Sequence, residues 1–332
     1  MAKKRSAKPK KEDTPAPESD PTASSVRDKY SQRIAEVEGD LKELTAQLEK
    51  MRQSRVFPFF MFSSDAYIDS ETVSTVYDRL DDRFGECEKL DVLVESSGGQ
   101  IDPAFHLARL FARYAIENLT FIVPRWAKSA ATLLICGGDA VLMGPTSELG
   151  PVDPQIFDPS REETYSPLDI QSGLDLIDYQ YKRGNARLAD ILANKLQTPL
   201  TLGKAKKSLQ IGEQYIEKLV SERMYAEDTD KPKAIATSLV RDYSHHGYCI
   251  DVEEARRIGL NIEEPDSEEW NTIWQIRKKA RKLDELRYLQ EIEEFKQKAP
   301  PFPEELRQKL KPIGLGGGRN RSGQSTGPSR WS

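Results

Sequence analysis

Ser129 stands in the run Val123-Pro-Arg-Trp-Ala-Lys-Ser129-Ala-Ala-Thr-Leu-Leu-Ile135, between a strand-like stretch and a small-residue, helix-like one. A serine hydroxyl is a weak nucleophile until a base takes its proton, and acyl transfer also needs donors for the oxyanion that forms. A serine at a helix start lies beside free backbone N–H groups and the positive end of the helix dipole. The same position also suits a plain N-cap, a role serine fills often. Upstream, Val94-Glu-Ser-Ser-Gly98-Gly99-Gln-Ile places two glycines just after another strand-like run. The backbone N–H groups of Gly98 and Gly99, with that of Ala130, are the candidate oxyanion donors.

A base and an orienting carboxylate must come from elsewhere. The chain has three histidines. His106 falls in a helix-like run and reads as packing or surface. His245 and His246 lie in Asp242-Tyr-Ser-His-His-Gly-Tyr-Cys-Ile250, a loop from which an imidazole can reach a cleft without disturbing a core. Asp153 follows Ser129 by 24 positions, in the stiff segment Gly150-Pro-Val-Asp153-Pro. The order Ser, Asp, His is one of several chain orders that build the same triad. A lysine is the competing base. Lys128 adjoins the serine and would point elsewhere on a helix, so Lys182, in a later helical run, is the better candidate for a Ser–Lys dyad, and it would need burial to lower its pKa.

The elements that must hold these groups alternate. Strand-like runs cover 56–62, 90–95, 119–123 and 139–143, and helix-like runs cover 70–83, 101–116 and 129–137. This alternation predicts an α/β layered fold with mostly parallel strands. Residues 166–242 turn helical. A short helix over 251–258 ends at Gly259, and Leu260-Asn-Ile262 reads as a last strand. A long charged helix spans 268–297, within an extension over 266–312. Before the core, Tyr30, Ile34, Val37, Leu41, Leu44, Leu48 and Met51 keep a four-three spacing, a heptad seam within 26–54. That seam is expected to join subunits in a coiled coil, with packing on its own domain as the alternative. Residues 1–25 and the Gly/Ser/Arg-rich 313–332 are expected to be flexible. The domain itself then covers 55–265.

Bulk numbers narrow the class. A net charge of −5 gives no global case for nucleic-acid binding, although six Lys or Arg and no acid in the first 11 residues leave a weak one for the N-terminal tail. The cysteines Cys87, Cys136 and Cys249 have no metal or redox spacing and read as small buried apolar groups in a reducing, cytoplasmic setting. No metal or cofactor is called for. No apolar run reaches the length of a membrane span, and Val56-Phe-Pro-Phe-Phe-Met-Phe62 reads as a buried strand.

With these residues in view, 90–156 and 244–262 resemble the serine dehydrogenase proteinase family, ClpP/SppA-like serine peptidases. Ala127-Lys-Ser129-Ala-Ala-Thr-Leu resembles its nucleophile segment, and Met143-Gly-Pro-Thr-Ser-Glu-Leu-Gly-Pro-Val-Asp153-Pro-Gln-Ile its aspartate segment. His246-Gly-Tyr-Cys-Ile-Asp-Val-Glu-Glu-Ala-Arg-Arg-Ile-Gly-Leu260 resembles its histidine segment, which implies His246 rather than His245. The resemblance implies a ClpP/crotonase-like ββα-repeat core, a homo-oligomer, and a Ser129-Asp153-His246 peptidase acting on protein or peptide. Two departures stand out. A tail and heptad helix replace the N-terminal membrane segment of many relatives, and Ala131 replaces the usual glycine. A catalytically silent scaffold that binds a partner, or a crotonase-type acyl-thioester enzyme using the same oxyanion hole, are the alternatives.

Overall fold

The structure, a computed structural model, describes residues 21–63, 65–158, 162–196 and 199–298. Its elements run α1 (Pro21–Arg52), β1 (Arg55–Phe60), α2 (Ser70–Arg83), β2 (Cys87–Glu95), α3 (Ile101–Tyr114), β3 (Ala115–Val123), β4 (Trp126–Ala127), α4 (Ala130–Ile135), β5 (Ala140–Met143) and β6 (Glu148–Leu149). The second half continues with β7 (Ile156–Asp158), β8 (Glu163–Tyr165), α5 (Pro167–Lys182), α6 (Ala186–Lys195), α7 (Pro199–Glu222), α8 (Lys231–Arg241), α9 (Val252–Ile258), β9 (Ile262–Glu263) and α10 (Ser267–Lys298). The chain divides into two units, Ser31–Arg287 and the remainder. The first holds the sheet and the site. Of the second, the structure describes only the outer ends of α1 and α10.

Five parallel strands form the main sheet in the order β1-β2-β3-β5-β9, and β4 and β6 pair in parallel as a small second sheet. The α/β expectation holds, with β1 and β9 at the edges. Alternation along the central strands sends side chains to two faces. Leu90, Val92 and Val94 of β2 and Leu119, Phe121 and Val123 of β3 enter a large core. That core is completed by Leu107 and Phe111 of α3, the α4 residues Leu133 and Leu134, Ile216 of α7 and Leu239 of α8. Leu93 and Ile122 point the other way, into a small cluster with Val56, Leu142, Leu48 of α1, and Ile273 and Ile276 of α10.

This second cluster takes three of the seven heptad positions into the chain's own fold, the alternative to a coiled coil between subunits. Leu48 is buried, and Leu41 and Leu44 pack beside it against the chain's own sheet and α10, because a two-faced sheet leaves an apolar face that some helix must cover. Polar contacts fix the pair of helices there: Lys279 bonds Asp40 at 2.5 Å and Arg287 bonds Glu38 at 2.7 Å. Residues 21–25 begin α1 instead of continuing a flexible tail. The tail over 313–332 and the basic stretch before residue 21 lie outside the described residues. Among the described residues no helix is long and apolar enough to cross a membrane, and no cluster of His, Cys, Asp and Glu could hold a metal ion. Cys249 departs from expectation: it is exposed, and its thiol donates to Glu148 at 2.9 Å.

Candidate active site

Ser129 sits at the N-cap position of α4, but its hydroxyl does not cap the helix. Its backbone has φ 51° and ψ −119°, one of three positive-φ non-glycine residues among those described. Such a conformation costs about 1–3 kcal/mol and persists only where neighbours over-determine it. Here they do: Ala131 N–H donates to Lys128 O at 2.9 Å, and Thr132 N–H and Leu133 N–H donate to Ser129 O at 2.9 and 3.2 Å. The chain turns sharply from β4 into α4, and half-buried Ser129 occupies the apex. The capping alternative is thereby set aside.

The glycine turn packs against this elbow. A Cβ on Gly98 would fall 2.7 Å from Lys128 O and 3.0 Å from Ser129 Cβ, so only glycine permits the approach. Ser96 ties the two together. Its N–H donates to Trp126 O at 3.2 Å and its carbonyl accepts from Lys128 N–H at 3.0 Å. Its hydroxyl accepts from Gly98 N–H at 3.1 Å. Gly98 N–H is thus engaged within its own turn in this structure. Gly98 O and Gln100 N–H both bond Ile68, so the exposed Gly99 between them turns its own N–H away from that strand. Ala130 N–H opens α4, where no intrahelical partner exists.

Asp153 and His246 meet across 93 residues of chain, Asp153 Oδ1 on His246 Nδ1. Backbone pairing places them. Leu149 N–H donates to Ile250 O at 2.8 Å and Ile250 N–H returns to Leu149 O at 3.1 Å, tying the aspartate loop to the histidine loop, while Val152 N–H is anchored on Leu239 O at 2.8 Å. Thr132, buried in α4, donates to Ala127 O at 2.7 Å and accepts from Gly150 N–H at 3.2 Å, joining the aspartate loop to the nucleophile strand. Asp153 is 3% exposed, and its second oxygen accepts from Gln155 Nε2 at 2.9 Å. With Nδ1 on the carboxylate, Nε2 is the nitrogen left for a substrate-side proton. The hydrogen bond His246 makes to Asp153 holds its pKa above the ordinary histidine value against partial desolvation and the nearby Lys128 charge.

No hydrogen bond joins Ser129 to His246 among the described residues; catalytic contacts of this kind are often loose before substrate binds. His106 lies exposed on α3 and His245 is exposed beside Gly247. Lys182 is corrected outright as a base. It lies on the solvent side of α5, pairs with Asp178 at 2.5 Å, and that hydrogen bond raises its pKa, the reverse of what a lysine base requires. Gln155, Ser96 and Thr132 were missed by the sequence reading. Each sits inside a motif already singled out, but only the folded geometry assigns it a partner.

Residues 67–289 match a protein family described as ClpP-like SDH-type serine proteinase. Two uncharacterized proteins of Methanocaldococcus jannaschii are similar in sequence. One is 28% identical over 57% of this chain and 58% of its own length, the other 21% identical over 52% and 51%. The chain thus spans somewhat more than half the length of the curated relatives it matches. Among solved structures, the matches include a mutant of the membrane-bound stomatin-specific protease 1510-N, at 14% identity and a TM-score of 0.41, covering 66% of this chain and 84% of that one. Another is ClpP1 from Listeria monocytogenes, at 13% identity and a TM-score of 0.34, covering 66% and 97%. On the family match over most of its length, this chain belongs to the ClpP-like SDH-type serine proteinases.

Proposed function

We propose that the chain is a serine peptidase in which Ser129 attacks a peptide carbonyl, His246 is the general base and Asp153 orients it. The observation that carries the reading is the pairing of Asp153 with His246 Nδ1, alongside an uncapped serine held at positive φ. His246 Nε2 takes the Ser129 proton as Oγ bonds the carbonyl carbon. The tetrahedral oxyanion is held by the N–H groups of Ala130 and Gly99. The proton then passes from Nε2 to the leaving amine, the C–N bond breaks, and water attacks the acyl-enzyme by the same route. The Asp153 carboxylate holds the Nδ1–H tautomer and the orientation of the ring. The family membership supports peptide as the substrate class; the chain is read as self-associating and cytoplasmic, like the notion of a ClpP-type assembly. Cleavage of a quenched-fluorescent peptide library by pure protein tests the proposal. Activity that disappears in Ser129→Ala supports it, and equal activity in Ser129→Ala refutes it.

A further inference from the structure

The turn Ser96-Ser97-Gly98-Gly99 grows from β2, and the root of that turn ends on an ion pair that the chemistry above does not use. Glu95, the last residue of β2, is fully buried. Arg277 of α10 holds both its oxygens, Nε to Oε2 at 2.6 Å and Nη2 to Oε1 at 2.7 Å. The guanidinium is 7% exposed as a residue and lies 4.8 Å from the Trp274 ring and 6.0 Å from the Trp126 ring. Trp126 belongs to β4, three residues before Ser129. Arg277 therefore holds the end of β2 through Glu95 and faces the Trp126 ring of β4, the two strands that Ser96 joins.

We propose that Arg277 is a positioning residue: through Glu95 and Trp126 it fixes the distance between the Gly99 turn and the Ser129–Ala130 elbow, so that the last helix sets the geometry of the oxyanion donors. The inference rests on the serine-peptidase reading. Ser96 transmits the constraint, because its backbone joins Trp126 and Lys128 and its hydroxyl takes the Gly98 N–H. A buried ion pair is a poor device for stability alone, since an apolar pair of similar volume serves as well or better. A planar fork locked on one carboxylate, lying over the Trp274 ring and facing that of Trp126, does fix distance and angle. A displacement of about 1 Å at such donors costs on the order of 100-fold in rate.

The test compares full-length wild type, Arg277→Lys, and the double variant Glu95→Leu with Arg277→Met. The lysine keeps the charge but loses the fork and the stacking; the apolar pair removes both buried charges together and keeps the volume. A fluorophosphonate probe reports the maximal phosphonylation rate at Ser129, the probe half-saturation, and the pH dependence of the rate, with circular dichroism confirming the native fold. The expected result is a maximal rate lowered by about 10- to 100-fold in both variants. Half-saturation should stay within about twofold and the acidic limb should not move, because the Asp153–His246 pair is untouched. Both variants reacting within about twofold of wild type overturns the inference, as does a shifted acidic limb or loss of the native fold in both, which assigns Arg277 to stability. A wild-type adduct mapped away from Ser129 refutes the peptidase reading before any variant is compared, and this inference falls with it.

Discussion

Two acid–base pairs flank the same few strand ends, and they are built in opposite ways. Asp153–His246 joins two loops at the cleft; its carboxylate is buried while the imidazole is 40% exposed. Glu95–Arg277 joins a strand end to α10, and its side chains are 0% and 9% exposed. The first pair has one titratable partner at a water-accessible edge, where a proton can come and go. The second is a buried fork in which both carboxylate oxygens are taken by Arg277 Nε and Nη2. Exposure, more than charge, separates a group that reacts from a group that holds, and the sheet's two faces follow the same division. One face is a thick apolar core; the other is a thin layer in which Asp91 and Glu95 are matched by Arg52 and Arg277.

The largest effect expected from this contrast is catalytic and belongs to the wet pair. His246→Ala should lower the reaction at Ser129 by roughly 1,000-fold or more, as loss of a triad base does, while His245→Ala keeps it within about twofold. Stopped-flow phosphonylation measures both. Equal losses at the two positions would erase the distinction drawn from the Asp153 contact. The dry pair should respond in stability. Arg277→Met leaves Glu95 buried and uncompensated, and should cost about 3–5 kcal/mol in urea unfolding, more than His246→Ala, where Asp153 keeps the Gln155 hydrogen bond and water reaches the half-exposed place of the imidazole. Similar costs for the two substitutions would mean burial does not separate the pairs.

A smaller effect is the pH dependence. Because Asp153 raises the His246 pKa, the neutral base forms only above the ordinary histidine value of 6.5, so the acidic limb of the rate should lie above about pH 6.5. Asp153→Asn should move the limb down. The linkage has a definite sign. A folded pKa above the unfolded one contributes stability that is complete below about pH 6.5 and is lost as pH rises through the folded value. The wild-type stability curve should therefore decline across the limb, and the Asp153→Asn curve should not. A pH series of thermal melts checks this. The smallest effect expected is at the discarded base: Lys182→Ala, on an exposed pair, should change the rate by less than about twofold in the same labelling assay.

Much of this frame is legible in the sequence because it repeats in period. The β2 run Leu90-Asp-Val-Leu-Val-Glu95 and the α2 span of 70–83 follow from apolar spacing and capping residues such as Asp69. Gly259 ends α9 in a left-handed conformation as its position suggests. The alternation also leaves Asp91 and Glu95 on the face opposite Leu90, Val92 and Val94, but nothing local names their partners, which lie at residues 52 and 277. The β7–β8 hairpin and the β4–β6 pair were missed because strands of two or three residues carry no period. The heptad seam shows the limit from the other side. Its spacing specifies an apolar stripe, and the same stripe serves another subunit or the chain's own sheet; the location of Leu48 follows only from the tertiary fold. At the site, residue types and spacing marked Ser129, Asp153 and the loop pair His245 and His246, and the family resemblance implied His246 of the two. The engagement of Gly98 N–H by Ser96 depends on a turn geometry that a Gly-Gly pair does not specify.

The central claim is that Ser129 is the nucleophile, activated through a histidine held by Asp153. Reaction of the full-length protein with a fluorophosphonate probe, followed by peptide mapping, tests it most directly. The account predicts a single adduct on the peptide containing Ser129, formed at wild-type rate in His245→Ala and nearly absent in His246→Ala. A folded protein that forms no adduct at Ser129, or one that forms it equally fast without His246, contradicts it.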